Sequence, residues 1–239
     1  MTAFGLSIRP RGYYRPVTRR IESWQSEAYA VEWASDDVLA PLLELPRRIS
    51  TALVADAKID VSHVVDLGAG QGTYLEAFLR AFPGARGTWI DANEAMRTLA
   101  RERLTELGDR VAYVLADVER LDALALEPAD VIATSRVLHH FSPQSLQRVY
   151  RAARDLLRPG GFLFNLDHIG APGDWDRRYR RIREQFTGPR RRELRPHRQG
   201  YPLAGPDEHL AWIAGAGFEP PDVAWRMFYT VLLVARRAP

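Results

Sequence analysis

The chain has 239 residues, 46% of them hydrophobic and 26% charged, enough to bury one full core in an ordinary globular domain. It has no cysteine, which excludes disulfides, zinc–thiolate sites and cysteine nucleophiles. The net charge is only +3, and Lys58 is the single lysine in an arginine-rich chain, so charge by itself argues for no nucleic-acid partner.

Residues 1–20 lack periodicity and carry two prolines, so they read as a flexible arm in which Tyr13 and Tyr14 could close over a ligand. From Ile21 to about Val54 the apolar residues Trp24, Ala28, Val31, Leu39, Leu42, Leu43, Ile49 and Leu53 mark a helical cap. Breaks are expected near Asp36, Pro41 and Pro46. Residues 1–54 are therefore expected to be arm and cap, and residues 55–239 the main domain.

Strands are expected at 62–67, 87–91, 111–116, 129–135 and 161–166, with helices at 73–81, 94–107 and 143–157 between them. "RPGG" (158–161) reads as a stop for the last of these helices. Strands separated by single helices argue for βαβ units, hence an α/β fold with a doubly wound, Rossmann-like parallel sheet.

The alternation breaks at 171–206, too long for an ordinary connection and expected to be a lid insertion before a helix at 206–215. Within 174–201, ten arginines face four acids. That is either a phosphate-binding surface or the solvated side of a lid, and the lid is preferred, because Tyr179, Ile182 and Phe186 recur as an apolar stripe. "FEPPDVAWRMF" and "YTVLLVARR" then read as a closing antiparallel hairpin. No apolar run approaches the ~18 residues of a membrane span, and no secretory signal is evident, so a cytoplasmic location and no membrane partner are expected.

"VVDLGAGQG" places Gly68, Gly70 and Gly72 where the first strand turns into a helix. A dinucleotide loop would carry its third glycine at position 73, which is Thr. Asp66 ahead of the loop would repel a pyrophosphate but suit an ammonium or hydroxyls. Asp91, closing the second strand, stands where a carboxylate can accept both hydroxyls of a ribose. Asp117, ending the third, could receive the exocyclic amine of an adenine.

These motifs, followed in order by "WIDANEAM", "LADVERL", "ADVIATSRVLHHF" and "LLRPGGFLF", resemble those of class I S-adenosylmethionine-dependent methyltransferases of the small-molecule type. The resemblance implies a seven-stranded sheet with an antiparallel last strand, S-adenosylmethionine as cofactor and S-adenosylhomocysteine as product. It implies that Asp66, Gly68, Ala69, Gly70 and Gly72 hold the methionine part and Asp91 with Ala92 the ribose. Asp117 with Val118 would hold the adenine, and Ser135 would border the cofactor. The activity implied is methylation of an O, N or C nucleophile on a small molecule, in biosynthesis of a secondary metabolite. The core and tail also resemble, more loosely, a transfer-RNA wobble-uridine carboxymethyltransferase, so an RNA acceptor is the rival. A cofactor-binding module that acts only by contact, and a homodimer, stay open.

Histidine titrates near neutrality and suits a general base. His140 is expected to face the acceptor, with His139 packing, bonding to backbone or touching the acceptor, because neighbouring side chains point apart. His168, with Asp167 beside it, is the second candidate base. Arg136 could meet an acidic acceptor, and Tyr14, Tyr179 and Phe186 could line its pocket. His63 lies at the opposite sheet edge, and His209 reads as structural. No His/Asp/Glu spacing resembles a metal site.

Overall fold

The structure is a computed structural model that describes residues 40–187 and 202–239. The expectations for residues 1–39, including Tyr14, and for His197 lie outside these residues. The first described element, α1 (Ala40–Asp56), is one unbroken helix rather than several short ones. Pro41 falls in the first turn, where no N–H is needed. Pro46 forfeits one helical bond, but it is buried, and the helix is held by its packed face through Leu43 and Val54.

There follow β1 (His63–Leu67), α2 (Thr73–Ala81), β2 (Arg86–Asp91), α3 (Glu94–Arg103), β3 (Val111–Leu115) and β4 (Ala129–Ser135). The chain continues with α4 (Pro143–Leu156), β5 (Leu157–His168), α5 (Trp175–Thr187), α6 (Pro206–Gly215), β6 (Asp222–Met227) and β7 (Thr230–Arg236). The strands form one sheet in the order β3-β2-β1-β4-β5-β7-β6, and all neighbours are parallel except those of β7. The expected seven strands with an antiparallel last strand are therefore present.

Two boundaries differ from expectation. The third helix stops at Arg103 and gives way to a 3-10 turn with Gly108 at φ +53°. "RPGG" is not only a helix stop but the bulged start of β5. The pairing jumps there from Ala129↔Leu157 to Val131↔Phe162. Gly160 turns at φ +79°, and a Cβ on Gly161 would lie 2.8 Å from the Asp130 carbonyl.

Every residue of β1 is buried, as a parallel strand covered on both faces requires. On one face Val64, Phe164, Leu166 and Leu232 pack against α1, α2 and α3 through Leu43, Tyr74, Phe78 and Met96. On the other, Val65, Leu163, Val231 and Leu233 pack against α4 and α6 through Leu146, Val149, Tyr150 and Ile213. Truncating a residue such as Phe78 in this packing costs about 3–5 kcal/mol. At the amino edge, Asp130 accepts bonds from the Ser62 and His63 backbone N–H groups and from Arg158, tying β1, β4 and β5 together away from the functional edge.

Under α6 lies a polar chain: Asn165 Nδ2 donates to the Tyr150 hydroxyl at 3.0 Å, which is hydrogen-bonded to His209 Nδ1 at 2.7 Å. Burial pushes the His209 imidazole down to about 4, so the folded protein holds it neutral. Below the ordinary histidine value of 6.5 the unfolded chain takes up this proton first, so stability is complete above that pH and declines as pH falls towards 4. Urea unfolding at pH 7.5 and 5 should show a loss of about 2 kcal/mol from this group. The same comparison in His209→Leu should lack that component.

Candidate active site

The carboxyl ends of β1, β2, β4 and β5 share one edge of the sheet with the β6–β7 turn, and nearly all the singled-out residues gather there. Gly68, Gly70 and Gly72 adopt φ of +64°, +52° and +78°, the left-handed region that favours glycine. At two of them there is also no room. A Cβ on Gly68 would lie 2.4 Å from Val137 Cγ2, and one on Gly72 would lie 2.7 Å from Leu104 Cδ1. Gly72 caps α2 without a side chain, so the first N–H groups of that helix open onto the loop.

Two carboxylates brace this loop. Asp66 is 1% exposed; Leu75 N–H donates to its Oδ2 at 3.1 Å, while its Oδ1 has no hydrogen-bond partner. Burial pushes its carboxyl up to about 7, against the Leu75 bond and the nearby Arg47 guanidinium. Asp91 Oδ2 accepts from Gly70 N–H and its Oδ1 from Asn93 N–H, both at 2.9 Å. Burial raises its carboxyl too, despite these bonds. Ala69 N–H donates to the Ile90 carbonyl, and Ala92 is exposed beside Asp91. Asp117 is exposed, caps the next turn through Glu119 N–H, and lies beside Asp91, whose carbonyl accepts from Ala116. Val118 is buried beneath it. Ser135 ends β4 with a buried hydroxyl that has no hydrogen-bond partner.

The loop after β4 carries the histidines. Arg136 takes φ +58° and donates its N–H to the Leu166 carbonyl; Leu138–His140 then form a 3-10 turn. His139 does not settle on backbone alone. Its Nδ1 lies 2.5 Å from Asp167 Oδ1, its own N–H donates to Asp167 Oδ2 at 2.8 Å, and its side chain is 12% exposed. His168 N–H donates to Asp167 Oδ1 at 2.7 Å. Asp167 is fully buried, and burial alone would raise its carboxyl. The His139 interaction and these N–H donors outweigh that and hold it below the usual range. An ionised carboxylate only accepts, so Nδ1 of His139 carries a proton.

Asp167 therefore orients the ring of His139, not that of its neighbour His168, because β4 and β5 lie side by side with Ser135 opposite Leu166. The two adjacent histidines also stay together rather than diverging: their ring centroids are 3.8 Å apart, since the tight turn does not splay them. His168 lies 5.1 Å from His139 and 5.1 Å from Tyr229, with its Nδ1 3.3 Å from Thr230 Oγ1.

Tyr179 and Phe186 of α5 flank Phe228 in the β6–β7 turn, at 5.8 and 5.7 Å, and Phe186 is 64% exposed. His63 bonds Thr88 and Pro128 at the amino edge. Residue reading overlooked three groups. Trp89 Nε1 donates to the Gly70 carbonyl at 2.8 Å, Arg47 is buried near Asp66, and Arg183 is buried on the lid helix. Strand adjacency was the signal that could have paired His139 with Asp167; nothing local marks the other three.

Residues 64–161 match the family described as Methyltransferase domain. Over those residues the chain is similar to methyltransferase domains, and its fold is that of solved methyltransferases. The ubiquinone biosynthesis O-methyltransferase of Stutzerimonas stutzeri (strain A1501) is 34% identical over 136 residues, 55% of this chain and 55% of its own. An O-methyltransferase family protein from Burkholderia thailandensis superposes with a TM-score of 0.68 at 21% identity, over 90% of this chain and 64% of that one. Human N-acetylserotonin methyltransferase, in complex with S-adenosylmethionine, superposes at 0.62 and 16% identity, over 90% and 58%. The chain thus spans about half the length of the curated relatives it matches. No described helix is long and apolar enough to cross a membrane.

The Gly68–Val137 contact makes a direct test. Gly68→Ala should destabilise the fold by about 1–3 kcal/mol in urea unfolding, through strain and overlap. Gly84→Ala, where a Cβ meets nothing within 4 Å, should stay within about 0.5 kcal/mol. Adding Val137→Ala to Gly68→Ala should recover part of the loss.

Proposed function

We propose that this methyltransferase domain moves a methyl group from S-adenosylmethionine to an oxygen, nitrogen or carbon nucleophile of a small molecule, with His139 as general base. The observation that carries the proposal is the His139–Asp167 pair, set one loop from the glycine turn by the contact of Val137 with Gly68.

The residues at the loop fit the cofactor. Asp66 Oδ1, buried and lacking a donor, suits the ammonium of a methionyl group. Asp91 keeps spare lone pairs for ribose hydroxyls, and Asp117 presents an exposed carboxylate to an amine. Gly68, Ala69, Gly70 and Gly72 line the approach, with Ala92, Val118 and Ser135 at its border. When bound, the cofactor supplies an electrophilic methyl on a sulfonium and leaves as a neutral thioether.

The chain's own work is then alignment, exclusion of water and removal of one proton. Asp167 fixes the tautomer and ring orientation of His139, leaving Nε2 to take the proton from an acceptor hydroxyl or ammonium. Asp167 itself stays ionised and stabilises the imidazolium that results. The base is thus His139 rather than His140, whose Nε2 is buried. His168 lies close enough to bound the acceptor, and α5, within residues 171–206, serves as its lid over the β6–β7 turn. Among the relatives, the ubiquinone biosynthesis O-methyltransferase agrees with a small acceptor.

Calorimetric titration with S-adenosylmethionine and S-adenosylhomocysteine is expected to show micromolar binding that Asp91→Ala abolishes. Absence of binding to both overturns the proposal. With an acceptor hydroxyl in hand, His139→Asn should lower kcat by about 10²–10⁴-fold. Asp167→Asn should lower it in the same direction, and both should leave cofactor affinity intact.

A further inference from the structure

The glycine turn is gripped twice by the strand beneath it. Trp89 and Asp91 lie two residues apart on β2, so their side chains share one face of the sheet. Both reach the same residue of the loop. Asp91 Oδ2 accepts from Gly70 N–H at 2.9 Å, and Trp89 Nε1 donates to the Gly70 carbonyl at 2.8 Å. One strand therefore holds Gly70 by its donor and by its acceptor.

The indole is itself fixed in place. Trp89 is fully buried, opposite Asp66 in the β1–β2 register and opposite Tyr113 in the β2–β3 register. Its ring centre is 5.8 Å from that of Tyr113, and the Arg101 guanidinium covers the Tyr113 ring at 5.2 Å. The indole nitrogen only donates, and a buried donor without an acceptor is costly. The loop shape that offers it the Gly70 carbonyl is thus the favoured one. The Gly70–Gln71 peptide is trans, so a carbonyl aimed at the indole sends the Gln71 N–H the opposite way, away from the core. A glycine is the residue least able to hold such an orientation by itself, because its φ and ψ are the least restricted.

We propose that Trp89 is a positioning residue for the cofactor: its indole N–H presets the Gly70 peptide, so that the turn has its receiving shape before the cofactor arrives. This rests on the reading of the glycine turn as the cofactor loop. Trp89 acts through Gly70, not on the cofactor or the reacting atoms. Without its N–H the loop is ordered only on binding, and that cost is subtracted from the affinity.

The test titrates the full chain calorimetrically with S-adenosylhomocysteine, as wild type, Trp89→Phe and Val149→Ala. Trp89→Phe keeps a buried aromatic ring but has no N–H to give. Val149 is buried on the opposite face of the sheet, and its truncation lowers stability without reaching the loop. Trp89→Phe should weaken binding by about three- to thirtyfold, and Val149→Ala should leave it within about twofold. Hydrogen exchange is the second measurement. In the unliganded wild type the Gly70 amide and the Trp89 indole N–H should both be protected, and Trp89→Phe should speed exchange of the Gly70 amide. Trp89→Phe binding as tightly as wild type, or an equal loss in Val149→Ala, would overturn the inference. So would wild-type protection that appears only with the ligand, a result that decides the matter even if Trp89→Phe does not fold. If the wild type fails to bind S-adenosylhomocysteine, the cofactor reading itself falls. If it binds and Trp89→Phe binds equally, only the role of Trp89 falls.

Discussion

A β-carbon on Gly68 would overlap Val137, so the glycine turn and the loop after β4 close against each other only because residue 68 has no side chain. Everything proposed for the site depends on that closeness. The turn offers backbone N–H groups and left-handed corners, and Val137 stands two residues before His139. A steric contact thereby sets the spacing between the group that would hold the cofactor and the group that would take a proton. Parallel strands β1 and β4, paired from Val64↔Val131 to Leu67↔Thr134, hold both loops on one rigid base.

Three buried carboxylates on this edge are treated differently, and the difference follows their donors. Asp167 receives three N–H groups and is held ionised despite full burial. Asp66 receives the Leu75 backbone bond and keeps an oxygen without a donor, and its carboxyl rises to about 7. Asp91 accepts backbone N–H bonds from Gly70, Asn93 and Ala92 but none from a charged group, and burial still raises it. Burial penalises all three, so what remains uncompensated marks where a ligand's donors belong. Asp167 is complete without a ligand, which suits a residue whose task is to orient a histidine. Asp66 and Asp91 are not, which suits residues whose partners arrive in solution.

The lid joins the same edge by different means. α5 rests on the β6–β7 turn through aromatic contacts rather than through main-chain pairing, and it carries Trp175 and Phe186 at 52% and 64% exposure. Two of its arginines form local pairs, Arg177 with Asp174 and Arg180 with Asp176. Exposed pairs of that kind contribute little to stability. The helix is thus loosely held by its surface charges and directed by a few inward groups, Arg183 among them.

The sequence alone carries the order of strands and helices, the closing hairpin, and a glycine loop followed by acids at strand ends. Those features are written locally, in apolar period, in glycines at a strand–helix turn, and in acidic residues at strand ends. It misjudged α1, where prolines suggested breaks that packing of Leu43 and Val54 overrides, and the start of β5, where a glycine pair makes a bulge. It also chose between His139 and His140 by assuming that neighbours diverge. Only the fold pairs His139 with Asp167, because that partner comes from another strand, 28 residues away. The same holds for Trp89 on the Gly70 carbonyl and for Arg183 buried over the Tyr229 ring. A side chain's partner across a sheet or under a helix depends on which elements lie side by side, and local pattern carries no record of that.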